Sequence, residues 1–194
     1  NPQVRSQTAV GYAVRPEEEP FRQFVAASGR ACAILPWAGT LADERGRLAV
    51  EMDDVRAKIK GLRLMRDVDH DLQDKLTGLF QAVGVLRSVP AGGIFIHEHE
   101  HVDNKGYILL KGALLVRREG HPDVTCPAPE LIGEAMQFNP AGVRTATCAG
   151  AVDSVALRFL WDEFWSRAEI VFTPLELTKV KEALAAQAWE HFTG

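Results

Sequence analysis

The residues with the most chemical promise lie in one stretch, Leu131-Ile132-Gly133-Glu134-Ala135-Met136-Gln137-Phe138-Asn139-Pro140-Ala141-Gly142-Val143-Arg144-Thr145-Ala146-Thr147. Gly133 lets backbone approach a ligand closely, and N–H groups at the start of a short helix or turn attract a phosphate. Arg144, ten residues after Glu134, can fork onto two phosphate oxygens, which a lysine cannot do. Glu134 repels a phosphate, but it can accept a hydrogen bond from a sugar hydroxyl within reach of that arginine. Together these residues suit a small anionic ligand carrying a sugar.

A rival signal is His97-Glu98-His99-Glu100-His101. On a strand, alternate residues share a face, so His97, His99 and His101 would line one side. Neutral imidazoles beside carboxylates suit Zn, Fe, Ni or Mn. The same run also reads as a solvated turn. Asp67, Asp69, His70 and Asp71 are read as charge complementing a helix start, and Cys148 as a small core residue rather than a nucleophile. No catalytic set stands out, and the chain is not read as an enzyme.

These residues need elements to hold them. Arg15-Pro16-Glu17-Glu18-Glu19-Pro20 reads as a loop, followed by a short helix over about 21–28 and an apolar run, Ala31 to Leu35. Leu48, Met52, Val55 and Ile59 form one helical stripe, with Asp43, Glu44 and Glu51 toward its start and Gly61 placed to cap it. A second stripe, Leu72, Leu76, Leu79, Phe80 and Val83, ends at Gly84. From there short β-like runs take over: Val85–Val89, Ile94–His97, Tyr107–Leu110, Ala113–Arg117 and Val155–Leu160. Thr173-Pro174-Leu175-Glu176 has the form of a capping box before a last helix, which carries Leu177, Val180, Leu184 and Ala188 to about His191. The predicted fold is mainly β with flanking helices: an antiparallel jelly roll with an N-terminal helical region over 1–64 and a C-terminal helix closing 65–194.

Composition sets the outer bounds. The chain has 194 residues, 46% of them hydrophobic and 25% charged, in the range of ordinary globular domains. A net charge of −4 leaves no overall electrostatic footprint for nucleic acid or an anionic membrane. Three widely spaced cysteines, Cys32, Cys126 and Cys148, make neither a disulfide framework nor a CxxC zinc site, and point to a reducing compartment. No apolar run approaches the roughly 18 residues of a membrane span, so a cytoplasmic location is expected. The chain begins at Asn1 rather than Met, which fits an excised piece of a longer protein.

The cassette from Leu131 to Thr147 resembles the phosphate-binding cassette of the cyclic nucleotide-binding domain family, in which G-E-x-A/G is followed some ten residues on by R-A/S/T-A. Pro90-Ala91-Gly92-Gly93 is similar to the family's P-x-G turn, and Tyr107-Ile108-Leu109-Leu110-Lys111-Gly112 to its Y-x-I/L-x-x-G strand and turn. The likeness covers about residues 65–192, nearest the catabolite activator branch but with no helix-turn-helix module after residue 192. It implies that Glu134 binds the ribose 2′-OH and Arg144 the cyclic phosphate. The N–H groups of Gly133 and Ala135 and the Thr145 hydroxyl would assist, with Val116 and Leu131 as apolar neighbours of the base. Met136 and Phe138 would pack the cassette onto the roll. Trp161, Phe164 and Trp165 would be core or part of a lid over the base. The sequence departs from the family where a usual turn glycine is replaced near Glu100 and another by Pro129, both in turns rather than at ligand contacts.

The resemblance implies a regulatory module for cAMP or cGMP, or else a cyclic pyrimidine nucleotide, without a cofactor. It would signal through its flanking helices to an effector domain or protein elsewhere, with the Leu48–Ile59 helix as a relay, a homodimer face, or simple packing. Two alternatives stand beside it. The stretch Gly93-x5-His99-x-His101 to Gly112 resembles the first motif of the cupins, although the acidic ligand position falls at Lys105 and no second-motif histidine follows. The other is a β-roll scaffold that binds no nucleotide.

Overall fold

In the computed structural model, residues 40–42, 49–100 and 103–193 are described. The expected loop over 15–20, the helix over 21–28, the run 31–35, Leu48 and His101 lie outside them. The described residues belong to one unit spanning 36–194.

Two short strands, β1 (Thr40–Ala42) and β2 (Ala49–Glu51), pair antiparallel. Helix α1 (Met52–Lys60) follows with Asp53 and Asp54 in its first turn and Lys58 and Lys60 in its last, each sign at the favourable end of the dipole. The helix therefore starts later than the apolar stripe implied, because β1 claims residues 49–51 as a pairing partner and Glu51 is strand. A 3-10 turn (Arg63–Asp67) leads into α2 (His70–Val83), capped by Asp69, whose side chain accepts from the Leu72 N–H at 3.1 Å. Asp69 at the cap and Asp71 in the first turn put negative charge at the helix start, as expected.

Strands β3 (Val85–Val89), β10 (Ser154–Leu160), β5 (Lys105–Lys111) and β8 (Glu130–Ile132) form one antiparallel sheet in that order. Strands β4 (Ile94–Ile96), β9 (Thr147–Gly150), β6 (Ala113–Arg117) and β7 (Val124–Pro127) form the second. The non-sequential strand orders are those of a jelly roll, as predicted. Strand β7, which the sequence pattern missed, is a mostly exposed edge strand ending in Pro127, so it shows no apolar alternation and its proline sits where a sheet tolerates it.

Helices α3 (Trp161–Val171) and α4 (Pro174–Thr193) close the chain. The capping box before α4 is made in both directions: Glu176 accepts from the Thr173 N–H at 2.7 Å, and the Thr173 hydroxyl accepts from the Glu176 N–H at 3.3 Å.

The first sheet is buried on both faces, and its side chains divide between two cores. Ile108 and Leu110 of β5, Leu131 of β8 and Leu157 and Phe159 of β10 face the helices, packing with Leu72, Leu76, Phe80, Val180 and Leu184, and with Val55 and Ile59 of α1. Tyr107, Leu109, Ile132 and Ala156 face the second sheet. This alternation follows from the period of two along a strand. Phe80, Phe159, Trp161 and Phe164 form an aromatic cluster at the helix side, with neighbouring ring centroids about 5 Å apart, as between Phe80 and Phe164 at 4.9 Å.

Candidate functional site

A cavity of about 360 Å³ opens against the second sheet, within the size range of small-ligand pockets. Its floor is one row across that sheet. Ile96 on β4 pairs with Cys148 on β9, Cys148 with Val116 on β6, and Val116 with Val124 on β7. Each of these four side chains lines the cavity. Ile132 and Met136 add apolar wall, while Gly133, Glu134, Ala135, Arg144 and Thr145 form its polar end.

Glu134 stands at the N-terminal cap of a short 3-10 turn (Ala135–Gln137), and its carbonyl accepts from the Gln137 N–H at 2.9 Å. The residue is 1% exposed. Its Oε1 meets Nδ1 of His191 at 2.6 Å, and its Oε2 is buried with no hydrogen-bond partner among the described residues.

Arg144 is 4% exposed and is held at two levels. Its backbone is pinned to the turn after β4: its carbonyl accepts from the His99 N–H at 2.9 Å and its N–H donates to the Glu100 carbonyl at 3.0 Å. Its Nη2 donates to the Lys105 carbonyl at 2.8 Å and to the Asp103 carboxylate. Burial pushes the Asp103 carboxyl up, but the hydrogen bonds from Lys105 and Arg144 outweigh it and hold the group below the usual aspartate range. Nη1 of Arg144 is buried and finds no partner among the described residues.

Gly133 joins these two groups. Its φ of +91° is left-handed, and a Cβ placed there would lie 2.8 Å from Arg144 Nη1, so only glycine lets the guanidinium this close to the turn. The Gly133 carbonyl accepts from Trp161 Nε1 at 3.2 Å, and Trp165 Nε1 donates to Gln137 Oε1 at 2.9 Å. Trp161 and Phe164 are fully buried core that braces the cassette from behind. Neither they nor Trp165, which packs against the same core, line the cavity.

The last turns of α4 reach the same place. Gln187, 2% exposed, donates through Nε2 to Glu130 Oε1 at 3.1 Å and accepts from the Leu64 N–H at 3.2 Å. Arg63 forms an ion pair with Glu190. The hydrogen bond to Glu134 raises the His191 imidazole above its ordinary pKa despite the opposing effect of burial, while burial itself raises the Glu130 carboxyl.

The structure thus brings Gly133, Glu134, Ala135, Arg144, Thr145 and Val116 to one cavity. Leu131 is not there. It is fully buried opposite Ile108, on the helix side of β8, and its neighbour Ile132 takes the cavity wall. Met136 packs inward as expected, but Phe138 is 39% exposed and does not hold the cassette to the roll. Asp103 and His191 were missed; they lie 41 and 57 residues from their partners, beyond any local spacing signal.

Over its described residues the histidine run takes the turn reading rather than the strand face that its alternation also allowed. Strand β4 stops at Ile96, and His97 to Glu100 make a turn with His99 at φ +65°, so His97 and His99 do not share a strand face. What this turn supplies is backbone, the two hydrogen bonds that hold Arg144. Among the described residues no group of three His, Cys, Asp or Glu side chains is placed to hold a metal ion. Cys148 lies in β9 as core, and burial pushes its thiol up to about 12, so it stays protonated at neutral pH.

No family model matches the sequence. No curated protein matches it either. Solved structures do match. A structure from a cyclic-GMP-dependent signalling pathway that regulates bacterial phytopathogenesis aligns with a TM-score of 0.50 and 18% identity, over 58% of this chain and 90% of that one. The catabolite activator protein of Thermus thermophilus aligns at 0.50 and 18%, over 66% of this chain and 57% of that one. The cAMP-bound PfPKA-R aligns at 0.50 and 16%, over 70% and 47%. At this level of identity the likeness establishes the fold: the chain carries the β-roll of cyclic nucleotide-binding domains. No helix among the described residues is long and apolar enough to cross a membrane.

Proposed function

We propose that this chain is a regulatory domain that senses cAMP or cGMP and passes the binding event to an effector through its flanking helices. One observation carries the reading. Two buried polar atoms in the wall of one cavity, Glu134 Oε2 and Arg144 Nη1, have no partner among the described residues. Burying such groups unpaired costs about 1–3 kcal/mol each, more when charged, so a folded protein rarely keeps them without use. A ribose hydroxyl is a donor for the carboxylate, and a cyclic phosphate diester is a singly charged acceptor for the guanidinium. A base would then lie along the apolar row from Ile96 to Val124. Thr145 and the N–H groups of Gly133 and Ala135 complete the phosphate end. The neighbours with this fold include one bound to cAMP and one from a cyclic-GMP pathway, which supports the same ligand class.

Signalling follows from what braces the cassette. Trp161 of α3 holds the Gly133 carbonyl, and α4 contacts Glu134 and Glu130 through His191 and Gln187. A ligand that draws Glu134 and Arg144 together shifts the balance of these helix contacts, which is how differential binding becomes a conformational signal.

Calorimetric titration with cAMP, cGMP and, as comparator, 5′-AMP tests the reading. Saturable binding of a cyclic nucleotide, weakened in Arg144→Ala by at least ~2 kcal/mol, is the expected result. No saturable binding of either cyclic nucleotide would leave the roll as a scaffold.

A further inference from the structure

We propose that His191 is a positioning residue for Glu134: it fixes the carboxylate by one oxygen, leaves the other for the sugar hydroxyl, and so makes nucleotide binding proton-sensitive. The inference rests on the reading of Glu134 as the ribose ligand and extends it to the end of α4.

The geometry is specific. Nδ1 of His191 lies 2.6 Å from Glu134 Oε1, and the carboxylate has no other hydrogen-bond partner among the described residues. Without the imidazole both oxygens would be buried and unpaired. With it, Oε1 is taken and Oε2 is the one that remains. His191 itself lines the cavity as part of its wall, so the space persists with the contact made. The Glu134 side chain is 1% exposed but that of His191 is 31% exposed, so the pair reads the proton concentration of bulk solvent from one end only.

The surroundings favour the imidazolium. Glu130 of β8 stands 3.8 Å from Nε2, and Glu190 precedes His191 on the helix, paired with Arg63 of the 3-10 turn. Gln187 holds Glu130 from the same helix, and Cys126 of β7 stands beside Glu130 as a protonated thiol raised by burial. Three carboxylates against one guanidinium leave an excess of negative charge around the ring. The position in the last turn of α4 adds the negative end of the helix dipole. A bound cyclic phosphate brings one more negative charge to the cavity and does not itself titrate near neutral pH.

The direction follows. His191 has a pKa raised above its ordinary value of 6.5. The charged contact is therefore complete below about 6.5 and is lost as pH rises through the raised value. The negative charge of a bound cyclic phosphate favours the imidazolium further, so the nucleotide binds the protonated form better and affinity should fall over the same interval.

The test is calorimetry with the tighter-binding of cAMP and cGMP from pH 6 to 8.5, on the wild-type chain, His191→Gln and His191→Ala. Wild type should lose about tenfold in affinity across the range, the change expected when nucleotide binding raises the imidazole pKa by about one unit. His191→Gln keeps a donor without a titrating proton and should lose the slope that His191 contributes. His191→Ala should bind at least tenfold more weakly than wild type at pH 6. His121 also lines the cavity, and any slope it adds persists in all three proteins. An NMR titration of the ligand-free protein reads the contact directly: Glu134→Gln should return the His191 imidazole toward 6.5. Wild-type binding with a pH profile unchanged by either His191 substitution overturns the inference alone. An absence of binding at every pH overturns the reading of the site, and this inference with it.

Discussion

Glu134 and Arg144 both line the cavity, and each is gripped by the protein at one atom and left without a hydrogen-bond partner among the described residues at another. His191 holds Glu134 Oε1, while Asp103 and the Lys105 carbonyl hold Arg144 Nη2. The remaining Oε2 and Nη1 are buried at the same polar end of the cavity. Each grip removes rotamers that a ligand would otherwise have to freeze, so the site is organised before binding. Opposite charges that do not neutralise each other directly can serve opposite ends of one ligand.

Asp103 orients the Arg144 guanidinium and does not itself line the cavity. Asp103→Asn keeps an acceptor but removes the charge, and should weaken nucleotide binding by ~1 kcal/mol, roughly fivefold, in calorimetry at pH 7. Because the Asp103 carboxyl is held below its ordinary range, the ion pair stands throughout neutral pH. It is lost only as pH falls through that lowered value.

Two glycines separate backbone conformation from the contact with Arg144. Gly133 and Gly142 both have positive φ, but a Cβ at Gly142 meets nothing within 4 Å, whereas at Gly133 it meets Arg144 Nη1. Each alanine variant should lose roughly 1–2 kcal/mol of stability from the left-handed backbone. Gly133→Ala alone should abolish nucleotide binding. Thermal melts and titrations of the two variants side by side make the comparison.

Neighbouring residues on β8 face different cores. Leu131→Ala should destabilise the fold by about 2–5 kcal/mol, as for a large-to-small change in a packed core, and leave the affinity of the folded fraction unchanged. Ile132→Ala should lower both stability and affinity. Denaturant unfolding with parallel titrations checks the pair; equal effects on affinity would mean the strand is registered differently.

These comparisons also mark where the sequence was legible. Glu134 and Arg144 lie on one short excursion of the chain, so their spacing was a local property and could be read directly. Leu131 and Ile132 could not be told apart, because a strand buried on both faces shows no alternation, and a slip of one residue exchanges the faces. The apolar stripe at Leu48–Ile59 was helical in period, but residues 49–51 pair with β1, a tertiary choice that overrides propensity. The His97–His101 alternation had the period of a strand but also read as a turn, and over His97 to Glu100 the chain takes the turn. Asp103 and His191 come from a distant loop and the far end of a helix, and only the closed fold brings them to the cassette.

The most direct test of the central claim compares a cyclic nucleotide with its 2′-deoxy analogue on the wild-type chain and on Glu134→Gln. The measurement is the affinity difference between the two ligands in each protein. The account predicts that loss of the 2′-hydroxyl costs wild type ~2 kcal/mol, roughly thirtyfold, the scale of a hydrogen bond to a charged group. In Glu134→Gln most of that difference should vanish. Equal affinity of wild type for both ligands would contradict the placement of the ribose hydroxyl on Glu134.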